Sequence, residues 1–345
     1  MPRPALPLLL IAPLALLAAP AGAARAEARD HVIVVGSSTV YPFATTVAES
    51  FGRGGRFKTP VVESTGTGGG FKLFCSGVGI DTPDVNDASR PMTDSEQAGC
   101  VSHGVGKVVE LRIGFDGIVI ASSKRAQPFD LSREQLYRAV ARTVVVGGRL
   151  VPNPYRRWSE VDAHLPNRPI VVFGPAPNHG TRDAFVDLVM APACGKLAEI
   201  RALAAEARER ACRAVREDGG WIDVSGDYAV LLGKLTNDPT AAGVFTFSYL
   251  DQNRDKLQAA RIDGVAPELA SIASGAYPVS RPLFIYVKQA HVAAVPGLAE
   301  FVQEFLSDRA AGAEGYLADK GLTPLPRAAL EAERAKARAL APPRR

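Results

Sequence analysis

The sequence has little of what marks several common protein classes. Its 345 residues hold 40 basic and 36 acidic side chains, and a formal net charge of +4 is too small to indicate nucleic-acid binding. Its five histidines are scattered along the chain. The chain has no G-x-S-x-G, H-E-x-x-H or C-x-x-C motif, so no nucleophile elbow or zinc site is indicated. We therefore expect no enzyme, no cofactor and no metal; a secreted phosphatase is the less favoured alternative.

After residue 26 the sequence also lacks a long apolar run. The first residues are a short basic start, and Leu8 to Ala19 is almost entirely Leu, Ala and Ile. Ala21-Gly22-Ala23 and Ala24-Arg25-Ala26 each fit a small-x-small cleavage site, so residues 1–26 are predicted to be a removed signal peptide. Because no cysteine lies near these sites, we expect a periplasmic protein without a lipid anchor.

Cysteine is scarce, but its count is even. The four cysteines are Cys75, Cys100, Cys194 and Cys212. In an exported chain an even number favours two disulfides over free thiols. Three pairings are open, and the sequence-local one, Cys75 with Cys100 and Cys194 with Cys212, closes two modest loops.

What the sequence does contain is an alternation of strand-like and helix-like segments. His31–Val35 and Ile170–Phe173 are short β-branched runs, and each leads into a glycine-containing polar segment. Ser132 and Gln135 have the spacing of a capping box, which predicts a helix over 132–140. The Ala-, Glu- and Arg-rich stretch Lys196–Glu217 is predicted to be helical. This alternation is typical of an α/β fold.

Two apolar, glycine-containing stretches, 115–120 and 242–247, are candidate crossings between two lobes. If the chain crosses there, residues 27–117 plus 248–325 form lobe one and 118–247 form lobe two. The alternative is that both stretches are plain core strands, which periodicity alone does not distinguish. Residues 326–345 are predicted to be a basic, exposed C-terminal tail.

Three polar-glycine segments each stand just before a helix-like run: Gly36–Pro42, Ser64–Lys72 and Asn178–Asp183. A helix start exposes unpaired N–H groups and carries partial positive charge. Small residues let an anion approach closely, and hydroxyls add donors. Three such ends, if they converge, form a pocket for a small oxyanion.

Together with Asp87-Ala88-Ser89-Arg90-Pro91, these segments resemble, in order and spacing, the phosphate-binding proteins of bacterial phosphate ABC importers. The resemblance covers roughly residues 30–326. It implies a two-lobed periplasmic binding protein type II fold, each lobe a mixed sheet flanked by helices, joined by two crossover strands. It also implies a monomer that closes on inorganic phosphate, with a membrane permease and an ATPase as partners.

The resemblance also implies a set of phosphate-binding residues, each with a competing structural role. The hydroxyl groups before the first helix could instead cap that helix. The glycine segment could instead form a tight turn, and the arginine could instead form a surface ion pair with a carboxylate such as Asp94. The expected ligands are Ser38, Thr39, Val40, Thr67, Gly68, Ser89, Arg90, His179, Gly180, Thr181 and Arg182.

The sequence departs from the better-known branch of that family. His179 stands where that branch has serine, and the upstream stretch Phe173–Pro177 lacks that branch's arginine. That branch also has a ligand-binding aspartate close to the position of Arg90. A carboxylate acceptor lets a site select a protonated oxyanion, and four candidates stay open here: Glu63, Asp87, Asp116 and Asp183. Sulfate, molybdate or a phosphonate is the alternative ligand.

Overall fold

The computed structural model describes residues 29–177, 179–224 and 228–340, so the predicted signal peptide and Asn178 lie outside the described residues. Strands and helices alternate along the chain, as the sequence predicts. The strands are β1 (Ile33–Gly36), β2 (Val61–Ser64), β3 (Val85–Ala88), β4 (Val108–Ser123), β5 (Thr143–Val146), β6 (Arg149–Pro152), β7 (Val172–Pro175), β8 (Trp221–Val224), β9 (Ala242–Thr246), β10 (Leu257–Ala259) and β11 (Ser280–Lys288).

Helices fill most of the connections between these strands. They are α1 (Tyr41–Arg53), α2 (Thr67–Phe74), α3 (Asp94–Ser102), α4 (Arg133–Val140), α5 (Trp158–Val161), α6 (Gly180–Phe185), α7 (Ala191–Cys194), α8 (Ala198–Arg201), α9 (Ala205–Arg213), α10 (Tyr228–Asn237), α11 (Phe247–Gln252), α12 (Leu269–Ala273), α13 (Leu298–Phe305), α14 (Asp308–Ala311), α15 (Tyr316–Asp319) and α16 (Arg327–Arg338). A π-helical turn, Val186–Met190, joins α6 to α7 without a break, and a 3₁₀ turn, Gln289–His291, follows β11.

Among the described residues, nine strands form one curled mixed sheet. Its order is β2-β1-β3-β11-β4-β9-β7-β8, with β10 paired to β4, while β5 and β6 form a separate hairpin. On one side β1 is parallel to β2 and β3, and on the other β7 is parallel to β8 and β9. The carboxyl ends of β1, β2 and β3 therefore share one edge, where ligands bind in open α/β sheets.

The long strand β4 belongs to both halves of this sheet. Its residues 108–117 pair with β11, whereas 118–123 pair with β9 and β10. The two halves are the two lobes of an α/β binding-protein fold, as expected. The lobe limits stay a prediction, and we propose one revision: the chain returns to lobe one after residue 265, because β10 pairs with the same half of β4 as β9 does and Ile262 forms bridges with Leu131 and Val265.

Local sequence signals explain several helix boundaries. The capping box predicted from Ser132 and Gln135 is confirmed at the start of α4. A second capping box, formed by Thr93 and Glu96, begins α3. Helix α2 begins at Thr67, directly after Gly66, whose positive φ of 74° favours glycine.

The stretch Lys196–Glu217, predicted to be helical, contains two short helices, α8 and α9. A straight helix rises about 1.5 Å per residue and would carry Cys212 far from Cys194, whereas the disulfide between them requires the chain to turn back. The predicted C-terminal tail contains the helix α16, most of which is exposed, although Leu330, Ala337 and the following Leu340 are buried.

Both disulfides follow the sequence-local pairing. Cys75 bonds to Cys100, which ties the end of α2 to α3. Cys194 bonds to Cys212, which ties the end of α7 to α9. The first bond fixes two helices that begin at the sheet edge described above.

Candidate functional site

A cleft of about 620 Å³ lies where α1 and α6 begin. Ser38 and Thr39 line it from the turn before α1. Val40, the third predicted ligand in this segment, has a fully buried side chain, and its amide donates to the Ser37 carbonyl oxygen at 3.1 Å. The first segment thus presents hydroxyl groups to the cleft, while the Val40 amide serves the turn.

The third segment lines the opposite wall with His179, Gly180 and Thr181. These residues begin a helix that continues through α6 and the π-helical turn to Cys194. His179 Nδ1 accepts from the Thr181 amide at 3.2 Å, and burial lowers the pKa of His179. A neutral ring that accepts at Nδ1 carries its proton on Nε2. Thr181 Oγ1 lies 2.6 Å from the Tyr228 hydroxyl.

The first and third segments are in direct contact across this cleft. Ser38 Oγ donates to Asp183 Oδ2 at 3.0 Å, which joins residues far apart in sequence. A Cβ added to Gly180 would lie 3.4 Å from Thr39 Cα, so the two backbones meet at van der Waals distance. The fold therefore brings together two of the three segments in which the sequence predicts anion ligands.

The second segment forms its own cluster along the same sheet edge. Thr67 Oγ1 accepts from the Ser89 amide at 3.2 Å, and the two hydroxyls lie 3.3 Å apart. A Cβ on Gly68 would lie 3.6 Å from Arg90 Nη2. These residues follow β2 and β3, the two neighbours of β1, but they are not among the residues that line the cleft.

Both predicted arginines are held by carboxylates. Arg90 forms a two-pronged pair with Glu96 of α3, at 2.8 and 2.7 Å, rather than with Asp94. Arg182 donates to Asp223 Oδ1 at 2.7 Å and to the Pro175 carbonyl oxygen at 3.0 Å. Arg182 thus points towards β7 and β8 instead of lining the cleft.

Of the four open carboxylates, Asp116 is the one that lines the cleft among the described residues. It lies on β4, at the point where this strand passes between the sheet halves. Glu63 is exposed on β2, Asp87 is buried within β3, and Asp183 is the acceptor for Ser38. Burial raises the pKa of Asp116, the cation of Arg281 opposes that rise, and nearby Asp187 adds to it.

Sequence reasoning missed Arg281, which lies on β11 directly opposite Asp116. Its Nη2 donates to Thr39 Oγ1 at 3.0 Å, and its Nε lies 3.5 Å from Asp116 Oδ2. Sequence reasoning also gave no indication of Tyr228, Tyr249 and Lys320, which line the cleft. No glycine segment or motif surrounds Arg281, and only the strand register reveals its position.

Among the described residues, no group of three His, Cys, Asp or Glu side chains is placed to hold a metal ion. In the same residues, no helix has the length and apolar character needed to span a bilayer.

Comparison with known proteins gives consistent relatives. Protein SphX of Synechocystis sp. is 30% identical over 300 residues, which cover 84% of this chain and 79% of that protein. Phosphate-binding protein PstS of Staphylococcus saprophyticus is 27% identical over 301 residues, covering 85% of this chain and 79% of that protein.

Among solved structures, a possible phosphate binding protein from Planctomyces limnophilus matches with a TM-score of 0.71 and 27% identity. The match covers 90% of this chain and 99% of that one. A family model, the PBP superfamily domain, matches residues 21–309. With its curled two-lobed sheet and most of its length matched, the chain belongs to the PBP superfamily.

Proposed function

We propose that this chain is an extracytoplasmic solute-binding protein that captures inorganic phosphate between its two lobes and delivers it to an ABC importer. The observation that carries the proposal is the meeting of Ser38 and Thr39 with Gly180 and Thr181 across one cleft. Relatives named as phosphate-binding proteins, which align over most of the chain, support the choice of anion.

The chemistry of the cleft suits a tetrahedral oxyanion. Helix α1 and the continuous helix beginning at Gly180 both start at the cleft, so their dipoles favour negative charge there. The hydroxyls of Thr39 and Thr181 add donors, and His179 adds its Nε2–H, whereas the Ser38 hydroxyl donates to Asp183. A neutral histidine supplies a hydrogen bond here without adding a full positive charge.

We assign the acceptor role to Asp116. A carboxylate inside an anion site repels a fully ionised oxyanion unless a proton lies between the two. A phosphate that still carries a proton can donate it to Asp116, whereas sulfate has none to offer at neutral pH. Asp116 would therefore favour phosphate over sulfate.

The second segment is proposed as a further contact for the anion, since it lies along the sheet edge at which the first segment also begins. The bonds to Glu96 and to the Pro91 carbonyl oxygen use three of the five N–H donors of Arg90. Glu96 therefore fixes the Arg90 guanidinium and leaves two of its N–H groups for an anion beside Thr67, Gly68 and Ser89. Because Glu96 cancels much of its charge, we expect Arg90 to contribute less than an unpaired arginine would.

We propose further that residues 1–26 direct export to the periplasm, that the mature chain is a monomer, and that a membrane permease and an ATPase are its partners. It would lack hydrolytic activity, so a chromogenic phosphate ester should release no product.

Calorimetry with phosphate, arsenate and sulfate tests the proposal. Wild-type protein should bind phosphate and arsenate and reject sulfate. Asp116→Asn should weaken phosphate binding at least about tenfold, which corresponds to about 1.4 kcal/mol of binding free energy. It should also reduce the preference for phosphate over sulfate. Wild-type protein that binds sulfate better than phosphate, or binds neither, would contradict the assignment.

A further inference from the structure

Arg281 contacts residues of both lobes and faces the strand that passes between them. It lies on β11, whose register sets it opposite Asp116 on β4. Its side chain is 14% exposed, so its contacts are made with protein groups more than with water. Of the two strands that it joins, β4 passes between the halves of the sheet, while β11 pairs with residues 108–117 of β4 and with β3.

Each nitrogen of the Arg281 guanidinium faces a different element. Nη2 donates to Oγ1 of Thr39, in the segment before α1. Nη1 donates to Oδ2 of Asp187 at 3.2 Å, in the π-helical turn that continues α6. Nε lies 3.5 Å from Oδ2 of Asp116 on β4, too far for a good hydrogen bond but close enough for strong attraction between charges.

Two of these three partners line the cleft, namely Thr39 and Asp116. The hydroxyl of Thr39 accepts from Arg281, so its own hydrogen is free to point elsewhere, including towards an anion. Arg281 therefore orients a donor and holds an acceptor on the same side of the cleft.

The charges around Asp116 are mixed. Arg281 faces it from β11, Asp187 from the π-helical turn and Tyr228 from α10. His179, Asp319 and Lys320 line the same cleft. Arg281 is the cation in contact with Asp116, and its removal leaves that carboxylate beside Asp187 without an opposing charge.

We propose that Arg281 is a positioning residue that sets the oxyanion selectivity of the cleft, by keeping Asp116 an acceptor and by aiming the hydroxyl of Thr39. The proposal rests on the proposed function. With Arg281 present, Asp116 accepts a proton-bearing oxyanion. Without it, the pKa of Asp116 rises further, the carboxyl holds its own proton, and the group becomes a donor that suits a fully ionised oxyanion.

The same contacts would also exist if Arg281 were only a structural ion-pair partner. The two roles differ in one measurable respect, the pH dependence of anion selectivity. Sulfate is a clean probe because it stays fully ionised across the pH range in which the protein is folded. Replacing a merely structural arginine would change stability but would leave the ratio of sulfate to phosphate affinity with its wild-type pH profile.

The test compares Arg281→Met with a matched control, Arg213→Met. Arg213 of α9 pairs with the same Asp187, at 2.8 Å through Oδ1. Its removal deletes the same charge and an ion pair to the same aspartate while leaving Arg281 in contact with Thr39 and Asp116. Melting temperatures without ligand check that both variants are folded.

We expect Arg281→Met to weaken phosphate binding at least about tenfold at neutral pH and to gain sulfate binding that strengthens as pH falls from 8 to 5. Arg213→Met should keep the wild-type affinities and pH profile. Arg281→Lys keeps a cation but lacks the fork, so phosphate binding should weaken while the rejection of sulfate persists.

The inference is overturned if wild-type protein binds phosphate and folded Arg281→Met keeps both its affinity and its selectivity at every pH. If Arg281→Met fails to fold, Arg281→Lys decides: wild-type phosphate affinity in that variant would show that the fork positions nothing. Wild-type protein that binds no phosphate would instead remove the proposed function, which is a separate result.

Discussion

Replacing Arg182 with alanine separates a structural role from a ligand role. The sequence predicts Arg182 as a phosphate ligand, yet its guanidinium donates to Asp223 and to the Pro175 carbonyl oxygen. Its carbon Cζ also lies 4.7 Å from the ring centre of Trp221. A charge-assisted hydrogen bond contributes about 1.5–3 kcal/mol and a cation–π contact about 0.5–2 kcal/mol.

The expected loss of stability lies towards the lower end of these values. Asp223 is 44% exposed, so water replaces part of what Arg182→Ala removes. We expect the free energy of unfolding to fall by about 2 kcal/mol in urea denaturation. Phosphate affinity, measured by calorimetry on the folded variant, should stay within about twofold, or about 0.4 kcal/mol.

The matched control is Asp223→Asn, which keeps an acceptor but removes the charge. A double-mutant cycle with Arg182→Ala should give a coupling energy of about 1 kcal/mol. The reasoning would be refuted by a tenfold loss of phosphate affinity without loss of stability, because the guanidinium would then act on the anion.

Three further expectations concern groups away from the cleft. Burial lowers the pKa of Lys288 to about 8. Between pH 7.5 and 9.5 the unfolded chain keeps the Lys288 proton that the folded chain loses, so the free energy of unfolding of the wild-type protein should rise by about 2 kcal/mol. Denaturant titrations of Lys288→Met should show no such rise. Burial raises the pKa of Asp87, whose ionisation therefore weakens the fold as pH rises; Asp87→Asn should gain more stability at pH 7 than at pH 4 in the same assay. Replacing both Cys75 and Cys100 by alanine opens a 25-residue loop. In denaturant titrations, this variant should have a free energy of unfolding about 3.5 kcal/mol lower than that of the wild-type protein.

Sequence reasoning succeeded where the signal is local. A strand, a polar-glycine turn and a helix follow one another within about ten residues at each segment. In an α/β sheet, parallel strands place such turns on one edge. This argument covers the first and second segments, which follow the parallel strands β1 and β2. The third segment follows β7 in the other half of the sheet, so its contact with the first was a hypothesis that only the topology could test.

The ion pairs that hold Arg90 and Arg182 could not be predicted in the same way. Glu96 is recognisable in the sequence as part of a capping box with Thr93, but that role says nothing of a pair with Arg90. The partner of Arg182, Asp223, lies on β8, and only the parallel pairing of β7 with β8 brings the two together. A motif names a residue type at a position, whereas its partners depend on the whole topology.

Asp116 and Arg281 extend this argument to function. Neither belongs to a glycine segment, and their proximity follows from the register of two antiparallel strands that are distant in sequence. Of these two strands, β4 continues into the other half of the sheet directly after Asp116, and Arg281 contacts Thr39 in one lobe and Asp187 in the other. A change in lobe angle therefore acts on the contacts of Arg281, and an anion that fits one lobe arrangement better than another must favour that arrangement. We expect recognition and closure to be coupled at this point of β4, which no sequence motif marks.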